Sequence, residues 1–82
     1  MKNFKEDEVR KMLIEKNEEF RKLYELHQKC EEKLKELQSK SYLTEEEKME
    51  EKRLKKEKLG LKDKMQIFVN KFKMEMDKNA NN

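Results

Sequence analysis

The stretch QSKSYLTEEE, residues 38–47, constrains this chain most, because it separates two long helical patterns. Ser39, Ser41 and Thr44 offer backbone groups competing hydrogen bonds and so weaken helix locally. Thr44 followed by Glu47 has the S/T-x-x-E spacing of a capping box, and Glu45, Glu46 and Glu47 supply the acidic first turn that a helix dipole favours. The chain is expected to reverse near Ser41 and to restart as helix after Thr44.

On both sides of that reversal the apolar residues step by three and four. Val9, Leu13, Phe20, Leu23, His27, Cys30, Leu34 and Leu37 fit the a/d spacing of a coiled-coil seam once Lys16 is counted on it. The second seam reads Leu54, Lys58, Leu61, Met65, Phe68 and Phe72. Folding back at the turn pairs positions whose numbers sum to about 84 or 85. Cys30 then meets Leu54, Leu23 meets Leu61, Phe20 meets Met65 and Leu13 meets Phe72. Two registers read independently agree, since a misplaced turn would set apolar residues against charged ones.

Composition limits what the seam can become. With 82 residues, no proline, one glycine and half of the residues charged, the chain supports a narrow apolar seam rather than a thick core. The expected fold is all-α, an antiparallel two-helix hairpin of coiled-coil type that associates into a larger helical bundle. The expected boundaries are helix 1 over about residues 4–38, a turn over 39–44, helix 2 over 45–76 and a disordered tail over 77–82. Asn3 is a candidate N-cap for helix 1, whose first residues are expected to fray. No apolar run approaches the ~20 residues that span a bilayer, and Met1 to Arg10 is too polar for a secretory signal. A cytoplasmic location without membrane contact is expected. The single Cys30, unable to form an internal disulfide, agrees with a reducing compartment.

Few residues invite chemistry. The fold-back places His27 against Lys58, a polar pair in an apolar seam. Such a pair fixes register; alternatively, protonation of His27 adds repulsion that a carboxylate such as Glu31 or Glu57 cancels. His27 and Cys30 offer two metal ligands on one face, but zinc wants four, so no metal site and no cofactor are expected. A rod without a concave pocket, a triad or a Gly-rich loop is not expected to be an enzyme, and no catalytic residue is assigned. Gly60, inside the second helix, either makes room for Tyr24 or is tolerated on the surface.

Two surfaces are candidates for binding. At the open end Met12, Ile14, Ile67, Val69, Met74 and Met76 add apolar surface beyond the seam, which a second copy or another helical protein would cover. The second helix is rich in lysine, and Lys55, Lys56, Lys62 and Lys64 are the candidate nucleic-acid contacts. Those lysines go nearly all round the helix without interleaved aromatics, so a nucleic-acid-binding accessory role stands second to a protein interaction module.

The strings NEEFRKLYELHQKCEEKLKELQ, Asn17 to Gln38, and LKKEKLGLKDKM, Leu54 to Met65, resemble the small bacterial YdcH-like proteins. The resemblance covers about Asn17 to Phe72. Phe20, Leu23, His27, Leu54, Lys55, Lys56, Lys58, Leu61 and Asp63 match the family pattern, whereas Cys30 stands where leucine is usual and Gly60 where arginine is common. The resemblance implies a bacterial cytoplasmic protein with antiparallel helices. It carries no activity with it, because the function of that family is not established.

Overall fold

The computed structural model describes the backbone of residues 5–80 and side chains as far as Asp77; the expected fraying and Asn3 cap lie outside that range. Three helices follow one another: α1 (Glu6–Lys16), α2 (Glu18–Gln38) and α3 (Glu45–Ala80). α2 and α3 pack antiparallel along the rod. Cys30, Leu34, Leu37, Leu54 and Leu61 form one buried cluster, and Val9, Leu13, Phe20, Met65 and Val69 form a second. Leu23 packs against both and joins them. The whole measures 58 × 22 × 16 Å, its length set by the 36 residues of α3.

The turn rests on local hydrogen bonds. The Thr44 N–H donates to Glu47 Oε1 at 3.0 Å and the Glu47 N–H to Thr44 Oγ1 at 3.1 Å, the reciprocal pair of a capping box. Ser39 Oγ donates to the Glu36 carbonyl at 2.7 Å and so occupies an orphan acceptor at the end of α2. The Lys40 ammonium bonds the same Glu47 carboxylate. Lys40, and then the Thr44 N–H, hold the Glu47 carboxyl down at about 2 against an ordinary 4.5. A group whose folded pKa is depressed adds stability above its unfolded value and loses it as pH falls through the folded one. The Glu47 contribution is therefore expected to disappear between about pH 4.5 and pH 2. Because the pair lies at the surface, with Lys40 exposed and Glu47 partly so, the contribution is small and salt-sensitive. In melting curves over that range Glu47→Gln should show a shallower loss of Tm than the wild type; an identical slope would remove the capping box from the acid response.

The expected continuous helix over 4–38 is interrupted at Asn17, which adopts an extended backbone, φ −118° and ψ 112°. Neither glycine nor proline is needed for this break. Asn17 Oδ1 accepts from the Phe20 N–H at 2.9 Å, so Asn17 is the N-cap of α2. Arg21 donates from Nε to the Ile14 carbonyl at 2.7 Å and from Nη2 to the Glu15 carbonyl at 2.8 Å. One residue thus starts α2 while another satisfies the last carbonyls of α1. Lys16, counted on the seam, is instead exposed at this joint.

The break shifts the register of everything before it. A straight rod would set Glu6 opposite about residue 78. Instead Glu6 Oε1 accepts from Gln66 Nε2 at 3.1 Å and pairs with Lys73 Nζ at 3.5 Å. Arg10 Nη2 reaches Gln66 Oε1 at 3.4 Å. α1 is therefore drawn toward the turn by about eight residues, or about 12 Å at the helical rise per residue, and it packs against both α2 and α3. Leu13 and Phe72 still share a cluster, but Val9 lies in it too, with Met65 and Val69. The end of the molecule is a small three-helix core.

One further expectation is corrected, and of the two readings of Gly60 the surface one holds. α3 stays helical to Ala80, so residues 77–80 of the expected disordered tail extend the helix. Gly60 does not accommodate Tyr24: a Cβ built there would meet nothing within 4 Å, which puts Gly60 on the open outer face of α3.

Candidate functional site

The shifted register of α1 creates a concavity that a straight two-helix rod lacks. Arg10 from α1, Tyr24, His27, Gln28 and Glu31 from α2, and Lys58, Lys62 and Met65 from α3 line a cavity of about 340 Å³. Each helix contributes by ordinary spacing. Tyr24, His27, Gln28 and Glu31 follow one another on one face of α2 at steps of three, one and three, while Lys58, Lys62 and Met65 do so on α3 at four and three. Gln28 Nε2 donates to the Tyr24 hydroxyl at 2.9 Å. Lys58 Nζ pairs with Glu31 Oε1 at 3.2 Å, and the bond from Lys58 holds the Glu31 carboxyl below its usual range against the raising effect of burial.

The His27 and Lys58 pair thus resolves into a larger group. Both line the cavity, and Glu31 is the carboxylate that engages Lys58. The expectation of a rod without a concave pocket is corrected at this point. Arg10 and Gln28 did not stand out in the sequence and Tyr24 did so only as a possible neighbour of Gly60, because only the break at Asn17 brings Arg10 of α1 over that face of α2. Asn17 followed by Glu18 and Glu19, a cap residue with an acidic first turn, was the readable signal for it.

The six open-end residues divide. Val69 is fully buried in the three-helix core, so it does not belong to an association surface. Ile14 is half-buried against the same core, and Met12 and Met76 are also half-buried. Ile67 and Met74 are 60% and 69% exposed and lie seven residues apart on the outer face of α3. Gly60 falls on the same line, seven residues before Ile67. Lys55, Lys56, Lys62 and Lys64 are all exposed. Lys62 lines the cavity, Lys55 and Lys56 line a separate surface groove with Lys52 and Arg53, and Lys64 lies about 200° from Lys62 at 100° per residue. They do not make one stripe.

Cys30 is buried among leucines, and that burial, with Glu57 nearby, pushes its thiol up. It packs in the seam as a small apolar residue. No group of three His, Cys, Asp or Glu side chains suited to a metal ion occurs among the described residues, and no described helix is long and apolar enough to cross a membrane.

The hairpin formed by α2 and the first two thirds of α3 matches a known family over residues 20–67, more than half of the chain. The chain belongs to the family described as "Protein of unknown function (DUF465)". This is in keeping with the resemblance to small YdcH-like proteins. No curated protein and no solved structure matches the chain. The DUF465 match begins at Phe20, three residues after the joint, and ends at Ile67. α1, Arg10, Val69 and Met74 lie outside the DUF465 stretch, so the three-helix end and one wall of the cavity are built from residues the family match does not include.

Proposed function

We propose that this DUF465 protein is a non-enzymatic interaction module whose hairpin pairs with a second copy through the outer face of α3. The observation that carries this reading is the line Gly60, Ile67, Met74. A glycine in a helix interior costs about 1 kcal/mol relative to alanine, and nothing inside the chain requires it, since a Cβ there would meet open space. A helix laid along this line gives it a use, because a missing side chain lets backbones approach closely.

Self-complementarity favours a second copy as the occupant. With a two-fold axis at Ile67 and the two α3 helices antiparallel, Met74 of each copy lies over Gly60 of the other and the two Ile67 side chains meet. Asp63 and Lys71, both exposed in the single chain, lie on opposite sides of this line. A face of this length is at the small end of stable interfaces, so a dissociation constant of roughly tens of micromolar is expected.

Sedimentation velocity across a concentration series tests this. A monomer–dimer equilibrium is expected, abolished by Ile67→Asp and weakened when Gly60 is replaced by a bulky residue, Gly60→Leu, which blocks the close approach of Met74. A chain that stays monomeric at millimolar concentration overturns self-association and leaves the face to a helix of another protein. Lys55 and Lys56 share a shallow surface groove with Lys52 and Arg53, but Lys62 and Lys64 lie elsewhere around α3 and the groove holds no aromatic residue for stacking, so a nucleic-acid role stays second.

A further inference from the structure

We propose that the cavity between α1, α2 and α3 is a binding site for a small phosphorylated molecule, of about the size of a diphosphate. This site is independent of the α3 outer face and of self-association.

The charge balance points to an anion of more than one negative charge. Arg10, Lys58 and Lys62 stand around a cavity whose lining holds a single carboxylate, Glu31, and Glu31 is committed to Lys58 at 3.2 Å. Lys62 has no carboxylate in the lining, and Arg10 has only Glu6, outside the lining and reached through Gln66, so two cations stand around the cavity without a directly paired carboxylate. A monocarboxylate would neutralise one of them; a phosphoryl dianion or a diphosphate neutralises both. Like charges gathered at a partly desolvated site repel one another, and a bound anion removes that cost.

The hydrogen-bonding groups are matched to the same ligand. Arg10 Nε is shielded from solvent and has no partner among the described residues, and Nη2 holds Gln66 at a long 3.4 Å. A guanidinium so weakly engaged has donors left for the forked contact that arginine makes with phosphate. The Tyr24 hydroxyl accepts from Gln28, which leaves its own proton free to donate. His27 and Lys62 add further N–H donors from α2 and α3. At about 340 Å³ the cavity is at the lower end of small-molecule sites, with room for two phosphoryl groups and ordered water but not for a polymer.

The geometry depends on the joint. Asn17 and Arg21 fix the end of α1, and Gln66 and Lys73 hold its start, so Arg10 is presented to the α2 and α3 lining by contacts at both ends of its helix.

Titration of the full chain with pyrophosphate, followed by calorimetry and by amide shifts at Tyr24, His27 and Gln28, tests the proposal at 0.15 M salt. Inorganic phosphate and citrate serve as parallel ligands. Saturable one-to-one binding of pyrophosphate is expected, at least tenfold tighter than citrate. Arg10→Gln and Lys62→Gln should each weaken it at least tenfold, while Lys56→Gln, on the outer face, should change it less than twofold. Lys62 is exposed, so its variant reports binding without a folding defect; unchanged far-UV circular dichroism checks the Arg10 variant. The absence of saturation, equal binding of citrate, or an equal loss in Lys56→Gln would each overturn the site, the last by showing diffuse attraction to a basic surface.

Discussion

Phe20→Ala is expected to lower stability by about 3–5 kcal/mol, the cost of removing a large buried aromatic side chain. Phe20 is fully buried, and its ring meets Phe68 edge to face, with centroids 6.0 Å apart. It sits in the first turn of α2, where its N–H is the donor that Asn17 caps. The same residue therefore closes the joint and fills the core beneath it. Val9 and Leu13 from α1 and Met65 and Val69 from α3 pack in the same cluster, so truncation leaves a cavity bordered by all three helices. Small domains have total stabilities near the lower end of about 5–15 kcal/mol, so this loss approaches the whole of it. Urea denaturation followed by circular dichroism measures it. Because only the end core is emptied, α1 should detach first, seen as loss of amide protection at Val9 to Leu13 before that at Cys30 to Leu37. A loss below about 1 kcal/mol would mean that the three-helix end is not a cooperative core.

The contrast between the two halves of the rod explains what was legible in the sequence. From Phe20 onward each helix runs unbroken to the turn or beyond it, so periodicity and the position of the turn determine which residues meet. Cys30 with Leu54, Leu23 with Leu61 and Phe20 with Met65 share clusters where folding back at residues 39–44 places them. The capping box at Thr44 needed only a spacing of three. Before Phe20 the same rule fails, because the pattern Leu13, Lys16, Phe20 is satisfied equally by a continuous helix and by one that breaks at Asn17 and resumes a turn later. The difference is decided by a side-chain cap and by an arginine reaching back seven residues, neither of which has an apolar period. Every consequence of that break was hidden with it: the burial of Val69, the cavity, and the role of Arg10. Gly60 was ambiguous for another reason. A glycine on a helix records that a side chain is absent without recording which face it is absent from, and only the absolute rotation of α3 shows that it points outward.

Val69→Asp is expected to destabilise the chain by several kcal/mol, whereas Ile67→Asp, two residues away, should change the stability of the single chain by less than about 0.5 kcal/mol. The two positions look alike in the sequence, each a β-branched residue in MQIFVNKF, yet they lie about 200° apart around α3. Val69 has no exposed surface, and its neighbours in the core are Val9, Leu13, Phe20 and Met65, none of which can hydrogen-bond a carboxylate. The charge must therefore be protonated in place or drawn to water by displacing α1. Displacement is the cheaper response, because α1 is only 11 residues long and too short to persist as an isolated helix. Its polar anchors on α3 are few: the exposed contacts of Glu6 with Gln66 and Lys73, which add little, and one long, part-buried bond from Arg10 to Gln66. In Val69→Asp, amide exchange should show α1 open while α2 and the first part of α3 remain protected, and pyrophosphate binding should be lost with Arg10. In Ile67→Asp the same measurements should match the wild type at dilute concentration, with only the dimer gone. If both variants opened α1, the outer face of α3 would be part of the chain's own core and the proposed line of association would be wrong. If neither did, the burial of Val69 would be of no consequence, and the joint at Asn17 alone would hold α1 in place.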